Sequence, residues 1–512
     1  LSTLTNNDKS FNGFILLFVG LKIGLNLLAL SHFGFQRDEL LHLALGDHLD
    51  WGFKEVPPFI ALVARISSTL FGDSVFATRI FSTLAGGAII WFTGKIVSEL
   101  GGKKFAIALA CLTLILSPAF AASDYLLQPV VFDQLWWVLT AYLVIKYLNS
   151  SQPKYIYLLG VVIGVGLLTK YTMAFFAIAT ILALLLTKQR RILWSKHILI
   201  ALLIALIIFL PNILWQFRHH LPLVTHMHNL RTQQLDYIKP SDFIKQQLLI
   251  NGIALFVWLS GLLFLLLSPR LIQYRFIAFT YLLVFIFLLE MNGKDYYLFG
   301  AYPMLFAAGG YCFEHWLKTK AMRTVVIAFL TLPNLVLLPL ALPFLTLDQT
   351  IAAFKFVHLE PTWEDQKQHP LSQDYADMFG WDEMGEKVAR AYHSLTPEQQ
   401  KHTQIFADNY GDAGAVYHYG KKYGLPEVAS LNSSFTLWAP DSLNAPYIIY
   451  VDDEGGGNVK GRLAPYVEKY IKLDEVKSPY AREKGTGIFL LINAKPALNT
   501  IYQKELARKR LE

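Results

Sequence analysis

Cysteine is almost missing from this chain: Cys111 and Cys312 are the two among 512 residues, and both lie inside apolar runs. That excludes a disulfide framework and a cysteine-based metal site. Charge is scarce as well. Asp, Glu, Lys and Arg make up 16% of the residues, where soluble domains carry about 25%. Acids are the scarcer sign, 38 against 45 basic residues, for a net charge of +7 and a pI near 9.0. In a soluble protein that excess would hint at nucleic acid. Here the basic residues largely fall between apolar segments, where they set topology, and no nucleic-acid partner is expected. The chain also lacks a Walker lysine motif and a dinucleotide fingerprint, which argues against ATP-driven transport.

What the chain has in abundance is apolar length. It is 54% hydrophobic with a mean hydropathy of +0.38, the composition of a polytopic membrane protein. Taking about 20 residues per crossing, hydropathy gives about eleven spans. They centre on 12–33, 76–98, 105–122, 130–148, 155–169, 171–187, 197–216, 246–267, 275–291, 298–316 and 323–346. Ala29-Leu30-Ser31 imitates a signal-peptidase site, but the run before it is long for a signal peptide, and we expect a retained first helix. Residues 57–71 are too short to cross and read as a helix lying in the interface.

Basic loops fix the orientation. Lys103 and Lys104, then Lys146 and Lys154, then Lys188 to Lys196, then Arg270 and Arg275, then Lys318 to Arg323 fall on one side, which is cytoplasmic by the positive-inside rule. The unusual polar residues gather on the other side. From about Leu347 the chain turns polar. Strand-like runs at 404–409, 447–451 and 487–493, with helix-like segments at 382–393 and 411–422, predict a small α/β domain. The expected architecture is a helical membrane domain, 1–346, with its first outer loop at 34–74, followed by an extracytoplasmic α/β domain, 347–512. Because the candidate catalytic residues all precede it, the tail is expected to serve an acceptor rather than the chemistry.

Chemistry-bearing residues cluster on the outer side. The first loop opens with Arg37-Asp38-Glu39 directly after the apolar run 11–35 and continues through His42, Asp47, His48, Lys54 and Glu55. On a helix, Asp38 and His42 share a face. Carboxylate and imidazole suit Zn, Mn or Mg, and a carboxylate can act as a general base. The competing reading is that Asp38 and Glu39 mark the membrane edge and cap a helix. Farther along stand Asp124 and Gln128 in a turn, and Asp133 at the start of an apolar run, where an acid needs a partner or a proton. Trp136 and Trp137 beside it read as interfacial anchors. Lys170 lies between two apolar runs and could cap a helix, snorkel, or meet a lipid phosphate. A histidine-rich loop carries His226 and His228, and Lys294-Asp295-Tyr296-Tyr297 sits at another outer edge.

The acidic pair after the first run, Glu55-Val56-Pro57-Pro58, Leu168-Thr169-Lys170 and Lys294-Asp295-Tyr296-Tyr297 occur in an order that resembles the GT-C membrane glycosyltransferases. The closest group is the protein O-mannosyltransferase-like family, which includes the lipid A aminoarabinose transferase. The resemblance covers roughly residues 10–345. It implies a sugar transferase with a GT-C fold that uses a polyprenyl-phosphate-linked sugar. It implies that Asp38 is the catalytic acid of the first loop, with Glu39 completing the pair. It makes Glu55 and His226 ligands of a divalent metal (Zn, Mn or Mg). Lys170 and Tyr297, with Lys294 and Lys54, become contacts of the carrier phosphate. His42, Asp124, Gln128, Asp133 and His228 are further polar candidates. The chain departs from the aminoarabinose enzyme at Leu41, where that enzyme has a phosphate-binding arginine, and at Gln128, where it has an acid. Lys54 precedes the glutamate, whereas the enzyme's lysine follows it. These departures argue against carrying over its sugar and acceptor.

The expected partners are a polyprenyl-phosphate-linked sugar, an acceptor of unknown identity and membrane lipids, in a bacterial inner membrane. A transporter or lipid flippase would account for an intramembrane acid. It accounts poorly for charge concentrated on one side, since transport sites lie near mid-membrane. An envelope-assembly protein whose tail does the work is the other alternative.

Overall fold

The computed structural model describes residues 2–30 and 32–512, with side chains from residue 11 onward. Ser31, the end of the cleavage-like tripeptide, lies outside the described residues. The chain divides into two compact units. One comprises Leu1–Leu30, Arg79–Leu214 and His228–Thr346; the other comprises Ser31–Thr78, Trp215–Met227 and Leu347–Glu512.

The first unit is helical. Its helices approach closely where side chains are small. Gly261 packs on the Leu305 carbonyl, Gly309 on the Val257 carbonyl, and Gly310 on the Ala106 carbonyl, and a Cβ at any of them would collide. In lipid, where burial of apolar surface drives little helix association, such close backbone packing is what holds helices together.

The expected count of about eleven spans is too high. Among the described residues, five helices are long and apolar enough to cross a membrane: Phe11–Ala29, Val75–Glu99, Lys196–Arg218, Pro269–Glu290 and Lys320–Ala341. The number rises to at most seven if two bent pairs each count as one span. Hydropathy measures how apolar a run is, and the breaks inside the runs make the difference. Run 105–122 splits into Lys104–Ile115 and Pro118–Ser123. The 12 residues of the first piece extend about 18 Å at 1.5 Å per residue, against roughly 30 Å of hydrocarbon. Lys154–Thr169 and Tyr302–Trp316 are short for the same reason. Thr172–Leu185 bends by 119° into Lys188–Trp194, and Pro240–Leu249 bends by 96° into Gly252–Leu267. Pro129–Ser150 is long enough, but Asp133, Gln134 and two tryptophans dilute its apolar content. The chain is a polytopic α-helical membrane protein of five to seven spanning helices with a C-terminal α/β domain.

The second unit is built on a five-stranded sheet of β1 (Thr403–Ala407), β2 (Val428–Ala429), β3 (Tyr447–Asp452), β4 (Lys469–Glu475) and β5 (Gly487–Ile492), in the order β2-β1-β3-β5-β4. β1 is parallel to β2 and β3, and β5 is antiparallel to β3 and β4. Alternation puts Phe406, Ile448, Tyr450 and Phe489 on one face, packed with Leu498, Tyr502 and Leu506 of the Pro496–Leu511 helix. Helices Trp381–His393 and Tyr410–Gly420 also pack on the sheet. The sequence signal missed β4, an edge strand whose residues are largely exposed and charged.

The helix Arg37–Asp47 belongs to this unit, and residues 39–46 are all buried. Its four leucines and Ala44 fall on more than one face, so it packs against neighbours on more than one side. Gly414 of the Tyr410–Gly420 helix lies against Leu40, and Gly46 lies against the backbone of Phe59–Phe71. That last helix buries Ile60, Val63 and Ala64 and exposes Leu62, Ile66 and Leu70 at four-residue spacing, an apolar stripe of the kind an interfacial helix presents to lipid.

Candidate active site

In the second unit the site begins with a helix cap. The Gln36 side chain accepts the Asp38 N–H at 2.8 Å, and the Gln36 N–H donates to Glu39 Oε2 at 2.9 Å. Glu39, fully buried, therefore serves the capping box that starts the helix. Asp38, at the same end, is only partly buried. Its Oδ1 accepts the Tyr410 hydroxyl at 2.9 Å. The Arg37 guanidinium lies over the Tyr410 ring at 4.5 Å and reaches Glu483 at 4.0 Å. Burial pulls the Arg37 pKa down, but Tyr410, Glu483, Asp377 and Asp38 outweigh it and hold it above the ordinary arginine range. Gly411 leaves room for this, since a Cβ there would sit 2.6 Å from Arg37 Nε. His42, one turn on from Asp38, is buried.

Glu55 lies where the loop turns toward the next helix. Its carboxylate accepts the hydroxyls of Ser433 and of Ser434, the latter at 2.6 Å. The Lys54 N–H donates to Ser434 Oγ at 3.0 Å, while its ammonium donates to the Lys509 carbonyl. Burial lowers the Lys54 pKa. His226 lies half-buried on the Pro222–Gln233 helix, and His228 on the same helix is exposed. Asp47 and His48 are held by tail residues too: Asp47 by Tyr417 and Lys421, His48 by Glu427 at 3.2 Å and by stacking on Trp438.

Residues of the tail thus partner Asp38, Glu55 and Lys54. Tyr410, Ser433 and Ser434 were missed because a hydroxyl hundreds of residues away carries no local signal. The tail also has its own acidic group. Asp408, Asp452 and Asp453 bring carboxylate oxygens within 4.8 Å of one another, at the carboxyl ends of the parallel strands β1 and β3. It is the one set of three or more such ligands among the described residues, and it could chelate a metal ion.

In the first unit, Lys170, Tyr296 and Tyr297 come together. The Lys170 ammonium is 4.6 Å from the Tyr296 ring centre and 4.7 Å from that of Tyr297. Lys294 and Asp133 are near enough for their charges to act on it. Asp133 accepts from Trp137 at 3.0 Å and from Thr172 at 2.6 Å, the partners a buried acid requires. Trp137 is not an interfacial anchor; it is buried and stacked on Phe176. Asp124 forms a buried ion pair with Lys22 at 3.1 Å and accepts from Ser123. Gln128 occupies the N-cap of Pro129–Ser150.

A crystal structure of ArnT from Cupriavidus metallidurans bound to undecaprenyl phosphate has this fold, with a TM-score of 0.65 over 94% of this chain and 98% of that one, at 13% identity. The apo structure of the same protein gives 0.63 over the same shares. At such identity the likeness is one of fold. Residues 55–215 match the family model for dolichyl-phosphate-mannose-protein mannosyltransferase. The lipid A galacturonosyltransferase RgtD of Rhizobium johnstonii is 27% identical over 205 residues, 38% of this chain and 41% of the relative. The matched stretch therefore spans less than half of that relative's length. These findings define the class: a membrane protein with the GT-C fold. Along nearly its whole length the chain is similar in fold to ArnT, and over residues 55–215 it is similar to the mannosyltransferase family.

Proposed function

We propose that this chain is a membrane glycosyltransferase that moves a sugar from a polyprenyl-phosphate donor to an acceptor on the extracytoplasmic side of a bacterial inner membrane. The observation that carries the reading is Asp38. It is a partly exposed carboxylate fixed at a helix N-terminus by a capping box and by Tyr410, in a chain that shares the ArnT fold along nearly its whole length.

Asp38 takes the proton of the acceptor's hydroxyl or amine as that atom attacks the anomeric carbon of the sugar. The bond from that carbon to the phosphate oxygen breaks, and polyprenyl phosphate leaves. Glu39 keeps the helix start that aims Asp38. Lys170 supplies a point charge and Tyr297 a hydroxyl donor toward the phosphate, with Lys294 as a second cation. Glu55 and His226 are the residues that would hold a divalent metal. A carboxylate has about four lone-pair directions, so Glu55 keeps acceptor capacity after binding its two serines, and the carboxylate–imidazole pair suits Zn or Mn. Such an ion, when bound, would offset phosphate charge.

The test is transfer of radiolabelled sugar from undecaprenyl-phosphate-linked galacturonic acid, and from a panel of hexose and pentose analogues, to purified lipid A or an envelope glycolipid extract. Purified wild type should transfer at least one of them. Asp38→Asn should insert and fold normally yet lose about 10²-fold or more. Near wild-type turnover in that variant would overturn the assignment.

A further inference from the structure

We infer that Tyr410, from the C-terminal domain, is a positioning residue for Asp38. This inference rests on the function proposed above and adds a residue and a role to it. The geometry is specific. Tyr410 is the first residue of its helix, three positions past the end of β1 and next to Asn409, whose side chain accepts the Asp412 N–H at 2.9 Å and so caps the helix. The ring position is therefore set by the end of an interior strand and by a capped helix start. Two consecutive residues of the Arg37–Asp47 helix then hold the ring from different directions. The Arg37 guanidinium covers its face at 4.5 Å, and Asp38 Oδ1 accepts its hydroxyl at 2.9 Å. Packing leaves little slack, because Gly411 admits Arg37 and Gly414 admits Leu40 only for want of a Cβ.

Tyr410 remains a donor. Burial, then the Asp38 charge, raises its pKa well above that of an ordinary phenol. A phenol that holds its proton can orient a carboxylate without competing for the acceptor's proton. The C-terminal domain would in this way set the direction of a base that lies far away in sequence.

Tyr410→Phe keeps the ring and its stacking under Arg37 and removes one hydroxyl. In purified full-length protein, difference infrared spectroscopy against Asp38→Asn should isolate one carboxylate band. In Tyr410→Phe that band should shift in frequency, because Asp38 Oδ1 has lost the hydroxyl that donates to it. The same variant should lose kcat about ten- to a hundredfold on the same scale, with donor KM unchanged. In the Asp38→Asn background the loss should vanish, since one unit is then already broken. An unmoved band overturns the inference, as does a cost that persists in the Asp38→Asn background. If Asp38→Asn alone retains full activity, the proposed function fails, while the infrared result still decides whether Tyr410 governs Asp38.

Discussion

The ammonium of Lys170 stands 4.7 Å from the ring centre of Tyr297, with Tyr296 on the same cation at 4.6 Å. Lys170 and Tyr297 come from two helix ends far apart in sequence and are both candidates from sequence; Tyr296 is added by the fold. A cation between two aromatic rings is held in place electrostatically, and its remaining directions can serve a phosphate.

We predict that Lys170→Met weakens binding of undecaprenyl phosphate about tenfold or more, the loss of one charge-assisted contact of about 1.5–3 kcal/mol. Tyr297→Phe should have a smaller effect in the same direction. Acceptor KM should hardly change in either variant. Binding to nanodisc-embedded protein measures the donor side. Unchanged affinity in both variants would remove Lys170 and Tyr297 from the phosphate site.

A metal can be assigned by where its loss maps. Glu55→Gln and His226→Ala should each abolish one equivalent of Zn or Mn in elemental analysis, and each should reduce transfer. Asp452→Asn is the contrast, since Asp408, Asp452 and Asp453 form the described three-carboxylate group. Those oxygens suit a hard cation better than zinc. Metal content lost in Asp452→Asn and retained in Glu55→Gln would transfer the site to the α/β domain.

Much of this was legible in the sequence. The acidic pair, the lysine step and the tyrosine pair stand beside apolar runs, where a charge is conspicuous. The α/β tail announced itself by its strands and polar composition. The count of spans was not legible, because an apolar run looks the same whether its helix continues or breaks, as at Leu116–Ser117. Nor were the partners of the first loop, since Tyr410, Ser433 and Ser434 are ordinary residues until the fold sets them against Asp38 and Glu55. Asp124 stood out in sequence as a polar candidate, and in the structure its carboxylate pairs with buried Lys22.

That ion pair makes a prediction of its own. With both side chains almost fully buried, Lys22→Met leaves Asp124 uncompensated, and removing one partner of a buried pair costs about 3–5 kcal/mol. The double variant Lys22→Met, Asp124→Leu should regain most of that stability. Denaturation in detergent checks both. A single variant as stable as wild type would show that water reaches the pair.

Asp377 should give the α/β domain a pH dependence. Burial pushes its carboxyl up to about 7 against the opposing pull of Arg482 and Arg37. One of its oxygens is buried without a partner, while Arg482 reaches the other at 3.4 Å. A carboxyl whose pKa is higher folded than unfolded contributes stability below its unfolded value of 3.8, and that contribution is lost as pH rises through about 7. Between pH 5 and 8 the melting temperature of wild type should therefore fall more steeply than that of Asp377→Asn. Parallel curves would mean that Asp377 is ionised throughout.

Removing the tail tests how far the chemistry depends on it. A chain ending at residue 346 keeps Lys170, Tyr296 and Tyr297 and the helices that carry them. It loses the Tyr410 hydroxyl on Asp38, the Ser433 and Ser434 hydroxyls on Glu55 and the Lys509 carbonyl on Lys54. It also uncovers the Arg37–Asp47 helix, whose apolar sides pack on the tail's Tyr410–Gly420 helix. A helix that buries leucines on several sides does not hold one position once its neighbours are gone. The shortened chain should still bind undecaprenyl phosphate within a few-fold of wild type, yet transfer should fall below detection for every acceptor. Ser433→Ala with Ser434→Ala in the full chain isolates one contact from the general loss of packing. It should lower metal content and leave carrier binding alone. Transfer at wild-type rates by the shortened chain, to a small soluble acceptor for instance, would show that the first loop works without the tail and that the tail's part is confined to recognising the acceptor.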